Sequence, residues 1–143
     1  MQYKIDIRLA DEWTVRMGTV TDEFGAVTEH LEASRSDGSF IDISLGEMPE
    51  GETAQDQAFA NYIETVGFSD DDPEDFNPIV KLRFNGRNAW GFDAYQENDF
   101  PMRLISQEVR SGALAIIVFS APDRDALVEL HLLIERTFRV KVR

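Results

Sequence analysis

The sequence predicts an α+β domain, a twisted and mainly antiparallel sheet built from hairpins with helices packed on it. Three observations predict it: short runs that alternate polar and apolar residues, two stretches in which apolar residues recur every three or four positions, and turn residues between neighbouring runs. The chain has 143 residues, which suits one domain spanning 1–143. A domain of this size buries enough surface to fold without a disulfide or metal staple.

The elements follow in order. "YKIDIRL" places Tyr3, Ile5, Ile7 and Leu9 on one face, and "FGAVTEHLE" and "SFIDISL" follow as strands joined through Ser36-Asp37-Gly38. The period then changes. Ala58, Phe59, Tyr62, Ile63 and Val66 share a helical stripe, with Thr53 as N-cap and Gly67 just past the end. In "PIVKLRFNGRNAWGFDAY" the Asn85-Gly86 pair marks a hairpin. A three-residue loop, Asn85-Gly86-Arg87, aligns Val80, Leu82 and Phe84 with Asn88, Trp90 and Phe92, and so buries Leu82 against Trp90. A two-residue loop would instead set Leu82 on Ala89 and Lys81 on Trp90. A second hairpin turns at Ser111-Gly112, where a two-residue loop with no bulge pairs Val109 with Leu114 and Ile105 with Val118. "LAIIVFSA" is apolar at nearly every position, which predicts a central strand covered on both faces. Pro122 and Asp123 open a last helix with Leu127, Leu130, Ile134 and Phe138 inward and Asp125, Glu129 and Arg136 outward.

Charge is distributed unevenly. The net charge is −13, and residues 36–80 hold twelve acids and no Lys, Arg or His. Such a balance repels phosphate backbones, so nucleic acid is not an expected partner, and a protein with a basic surface is the natural complement. The absence of cysteine excludes disulfides, thiolate metal sites and a cysteine nucleophile. With neither a signal-peptide run, a lipoprotein cysteine nor a membrane span in the sequence, the expected location is the cytoplasm and no membrane partner is expected.

Candidate chemistry is sparse. The run Asp70, Asp71, Asp72, Glu74 and Asp75 concentrates five carboxylates around Pro73. Counted as a calcium loop from Asp70, it has Asp75 where glycine is needed and Lys81 at the twelfth position, so it reads as a solvated loop or a partner-binding segment. His30 and Glu32 form a His-x-Glu without companion cysteines, and His30 is expected at a strand end. His131 falls on the apolar face of the last helix, as a packed structural histidine. Asp93, with Glu97 and Asp99 beyond it, offers a carboxylate pair, but Asp93 and Glu97 on a straight strand would be about 13 Å apart, wider than glycosidase pairs. Trp13, Phe24, Phe59, Tyr62, Trp90, Phe92 and Phe119 are expected to fill the core. These residues yield no catalytic set, cofactor site or metal site. A small-ligand or cation-binding protein using the acidic middle segment, and a small hydrolase built on Asp93 and Glu97, are the competing classes.

Strands with a Leu9-Ala10-Asp11-Glu12-Trp13 element near the start, a helix, a hairpin with a small residue after an Asn-Gly turn, a second hairpin and a closing helix resemble the PsbP-like fold. That fold is shared by the PsbP subunit of photosystem II, a Ran-binding nuclear-import factor, and bacterial lipoproteins and secretion chaperones. In bacterial members the early element often reads Leu-Pro-x-Gly-Trp; here its Leu and Trp are kept. The resemblance implies a non-enzymatic interaction, assembly or chaperone-type module and leaves the partner open.

Overall fold

A computed structural model describes residues 3–67, 77–110 and 112–142. In chain order the elements are β1 Tyr3–Asp6, β2 Thr14–Thr21, β3 Val27–Ser34, β4 Phe40–Glu47, α1 Ala54–Thr65, β5 Val80–Phe84, β6 Arg87–Tyr95, β7 Pro101–Arg110, β8 Ala113–Ser120, α2 Arg124–Thr137 and β9 Arg139–Val142. Seven strands form one antiparallel sheet in the order β2-β3-β4-β8-β7-β6-β5, and β1 pairs with β9 in a separate ribbon.

Register decides which side chains share a face. One rung of the sheet runs Met17, Leu31, Ile43, Ile117, Ile105, Gly91, Val80, and the next on the same face runs Ala33, Ile41, Phe119, Arg103, Asp93. This face carries most of the core. Leu31, Ile41, Ile43, Leu45, Ile105, Ile117 and Phe119 are fully buried there against Leu127, Leu130 and Ile134 of α2 and Ile5 of β1. Burying each such side chain contributes about 1.5–3 kcal/mol. The ribbon is fastened by the Ile5 amide, which donates to the buried carboxylate of Glu29 at 2.9 Å.

The opposite face is covered over only part of its width. Helix α1 packs on β6 and β7. Tyr62 meets Phe92 edge-on with ring centroids 5.1 Å apart, and the Ser106 hydroxyl donates to the Ala54 carbonyl at 2.7 Å. On β3 and β4 the side chains of this face, Thr28, His30, Glu32, Asp42 and Ser44, are half-exposed, while Glu29, Leu31, Ala33, Ile41, Ile43 and Leu45 between and beside them are buried.

Both helix starts follow local chemistry. Thr53 Oγ1 accepts from the Asp56 amide while Asp56 accepts from the Thr53 amide, a reciprocal cap. Asp123 caps α2 by accepting from the Ala126 amide at 2.8 Å. The inward and outward residues expected of α2 lie as expected, with Phe138 buried at its C-cap. On α1, however, Ala54 and Ala58 are buried while Ile63 and Val66 are exposed.

Three expectations about the sheet need correction. The β5–β6 hairpin has a two-residue loop: Phe84 pairs with Arg87, Leu82 with Ala89, and Lys81 with Trp90. Asn85 and Gly86 both take positive φ, 52° and 77°, the conformation that matches the twist of the flanking strands, so the shorter turn wins over tidy facing of apolar pairs. Leu82 therefore lies on the α2 face and Trp90 on the other. In the next hairpin a bulge at Val109 shifts the ladder by one: Arg110 pairs with Ala113, but Glu108 pairs with Leu114 and Ile105 with Ile117. The strand β8 is central, as expected, yet Ile116 and Val118 remain half-exposed. The strand enclosed by both helices is β7, where Ser106 and Gln107 are buried because each donates to a backbone carbonyl. Strands β2 and β9 carry no clear polar-apolar alternation, and the "YKIDIRL" strand pairs with β9.

Candidate functional site

The uncovered half of the sheet combines an edge strand, an apolar tip and a polar cluster. Strand β2 is exposed at every residue. Its Val15, Met17 and Val20 are joined by Val27 and by Phe24 at the β2–β3 turn, which is 87% exposed. Asp22 builds that turn, because its Oδ1 accepts from the amides of Phe24 and Ala26 at 2.8 and 2.9 Å. The expectation that Phe24 fills the core is therefore wrong: two amides bound to one carboxylate fix the turn, and the ring projects outward. Trp13, by contrast, is buried beneath Arg35, whose guanidinium carbon lies 4.6 Å from the ring centroid.

Beside β2, a rung on the half-covered face runs Arg16, Glu32, Asp42, Val118, Leu104, Phe92. The two carboxylates at its centre stand directly opposite one another. Arg16 donates to Glu32 Oε2 at 2.6 Å, His30 Nε2 lies 2.8 Å from Asp42 Oδ1, and His30 Nδ1 lies 3.9 Å from Glu32 Oε1. A shallow cleft of about 360 Å³ runs along Thr14, Arg16, Glu32, Phe40 and Asp42. His30 thus sits inside β3 and not at a strand end, since the strand continues to Ser34. The grouping could be half-read in advance: His30 and Glu32 are two apart in a strand, and Asp42 interrupts "FIDISL" at an outward position. What brings Asp42 to them is the register.

A second polar cluster lies on the α2 face. Arg103 clasps Asp93 through two hydrogen bonds of 2.7 and 3.0 Å, and Arg124 donates to the same carboxylate at 3.0 Å and to Tyr95 Oη at 3.0 Å. Burial pushes the Asp93 carboxyl up, but the two guanidiniums outweigh it and hold it below the usual carboxylate range. Arg103 also reaches His131 Nδ1 at 3.1 Å. Since an arginine can only donate, Nδ1 accepts and the ring proton is on Nε2. Burial, reinforced by the Arg103 charge, lowers the pKa of His131, and the ring packs edge-on to Phe84 and Phe119. This is the packed, hydrogen-bonded histidine expected. Glu97 and Asp99 stand apart from it in the exposed β6–β7 turn, closed by the Gln96 amide donating to the Phe100 carbonyl at 3.0 Å. A cleft of about 340 Å³ opens alongside, walled by Val80, Leu82 and Ile105 over Gly91. Its floor must be glycine, because a Cβ there would lie 2.2 Å from the Leu104 carbonyl oxygen.

Asp70, Asp71, Asp72, Glu74 and Asp75 lie outside the described residues. Among the described residues, no helix is long and apolar enough to cross a membrane. No family model, no curated protein and no solved structure matches the chain.

Proposed function

We propose that the chain is a non-enzymatic protein-interaction module, of the assembly or chaperone type implied by its PsbP-like resemblance, which binds its partner along the β2–β3 hairpin. The observation that carries this reading is the exposed apolar series Met17 and Val20 on the edge strand β2, Phe24 at its turn and Val27 at the start of β3, with the outer side of β2 unpaired among the described residues. An open edge offers backbone donors and acceptors to an added strand, and an outward aromatic on a braced turn is the kind of anchor that dominates binding energy. The net charge of −13 favours a basic partner. In this reading Asp70, Asp71, Asp72, Glu74 and Asp75 steer its approach, and the cytoplasm is the first place to look for it.

A photo-crosslinking residue at Thr19 tests the docking strand in cells of the source organism. A discrete adduct is expected, lost when Phe24→Ala is combined with Val20→Lys while the melting temperature holds. An adduct that survives the double change overturns the proposal. Replacing Asp70, Asp71 and Asp72 with Asn should leave the adduct in place, weaken binding of the identified partner and flatten its salt dependence.

A further inference from the structure

His30, Glu32 and Asp42 bring one imidazole and two carboxylates, side-chain types that ligate metals, onto one patch of the half-covered face. His30 and Glu32 are two residues apart on β3, and Asp42 faces Glu32 from β4, so all three project from one face of adjacent strands. One donor atom from each lies within 4.8 Å of the other two. Zinc-type ions hold nitrogen and oxygen donors at about 2.0–2.2 Å, which puts neighbouring donors about 3–3.5 Å apart, so these donors need to close by no more than about 2 Å.

The electrostatics favour a cation at this point. Like charges directly opposite on paired strands are destabilising, and Glu32 and Asp42 are so placed. Arg16 neutralises from one side only: it engages Glu32 Oε2, while Oε1 turns toward the imidazole. The frame is rigid, since β3 is paired to β2 and β4, and β4 to β8. An imidazole with two carboxylates suits zinc, cobalt or nickel better than calcium, which takes oxygen ligands in larger number.

We propose that His30, Glu32 and Asp42 bind a divalent transition-metal ion on the uncovered face, with its outward coordination positions open to water or to a donor from a docked protein.

The test uses the untagged full chain titrated with zinc by calorimetry and with cobalt by its visible absorption. One equivalent per chain is expected. His30→Ala and Asp42→Asn should each weaken binding by about tenfold or more, with circular dichroism confirming the fold. Because Asp42→Asn keeps the shape of the side chain, loss in that variant reads the ligand rather than the strand. Zinc should also raise the melting temperature of the parent and not of Asp42→Asn, and calcium should raise neither. The triple change of Asp70, Asp71 and Asp72 to Asn should bind zinc like the parent. No saturable binding, binding indifferent to His30→Ala and Asp42→Asn, loss in the triple variant, or a calcium effect equal to that of zinc would each overturn the site.

Discussion

The two halves of the sheet are paired by the same hydrogen-bond ladder but face different surroundings. On the β6–β7 side, α1 covers one face while α2 reaches β7 and β8 on the other, and even polar residues such as Ser106 and Gln107 are drawn fully inside. On the β2–β3–β4 side, the α2 face is dry at Leu31, Ala33, Ile41, Ile43 and Leu45, but the opposite face shows His30, Glu32 and Asp42 to solvent, and β2 is exposed throughout. Folding free energy therefore comes from one face inside the β2 edge and from the second face only where α1 sits. The bare half adds little to stability beyond its inner face, which leaves its outer residues available for binding.

That contrast can be broken most forcefully from its covered side. Phe84 is fully buried against His131, and Phe84→Ala should cost about 3–5 kcal/mol in chemical denaturation. A cost below about 1 kcal/mol would mean that the β5–β6 hairpin is not packed under α2 as described. Next in size is Gly91→Ala. With the Leu104 carbonyl oxygen 2.2 Å from the added methyl, the strands must spread, and a loss of about 1–3 kcal/mol is expected. An unchanged melting temperature would contradict the close β6–β7 approach.

Asp93→Asn probes the polar seam between α2 and the sheet. Its side chain is 33% exposed, so solvent screening limits the loss to about 1 kcal/mol. The sign with pH is definite. A carboxyl whose folded pKa lies below its ordinary value stabilises fully above that value, near pH 4, and the advantage fades as pH falls through the lowered one. Parent and variant melting curves should accordingly converge in strong acid. If they stay equally separated there, the guanidinium pairing is not the cause. The same pair of experiments bears on the hydrolase alternative, because turnover lost with Asp93→Asn at unchanged stability would favour it. Smallest of all is Phe24→Ala, expected to shift stability by less than about 0.5 kcal/mol, since the ring touches solvent. A larger loss would show that the bare half does contribute to the fold through its tip.

Much of this architecture was legible from the sequence where a local rule governs it. Thr53, Gly67 and Asp123 delimit the helices as capping chemistry requires, while Pro122 lies one residue before the cap, and the alternation in "SFIDISL" places Ile41, Ile43 and Leu45 inward. The two hairpin registers were not legible, for a shared reason: one residue more or less in a turn or bulge exchanges the faces, and apolar residues on both sides of "LRF" and "AWGF" fit either choice. Strand β2 stayed hidden because an edge strand exposed on both faces has no reason to alternate, as Val15, Met17 and Val20 show. The Asp93 seam and the His30 cluster depend on pairings ten or more residues apart, Asp93 with Arg103 and Glu32 with Asp42. Residue types could nominate members of each, but only the ladder assembles them.

The β1–β9 ribbon pairs Tyr3 with Val142, so the two ends of the described chain meet side by side. Topologically the backbone is almost a ring. Synthesis from the N-terminus leaves β1 without its partner until β9 has been made, and the loop closed by that pairing is nearly as long as the chain itself. A short flexible linker could join the ends, and new termini cut into the β6–β7 turn would then give a permuted chain with every strand pairing preserved.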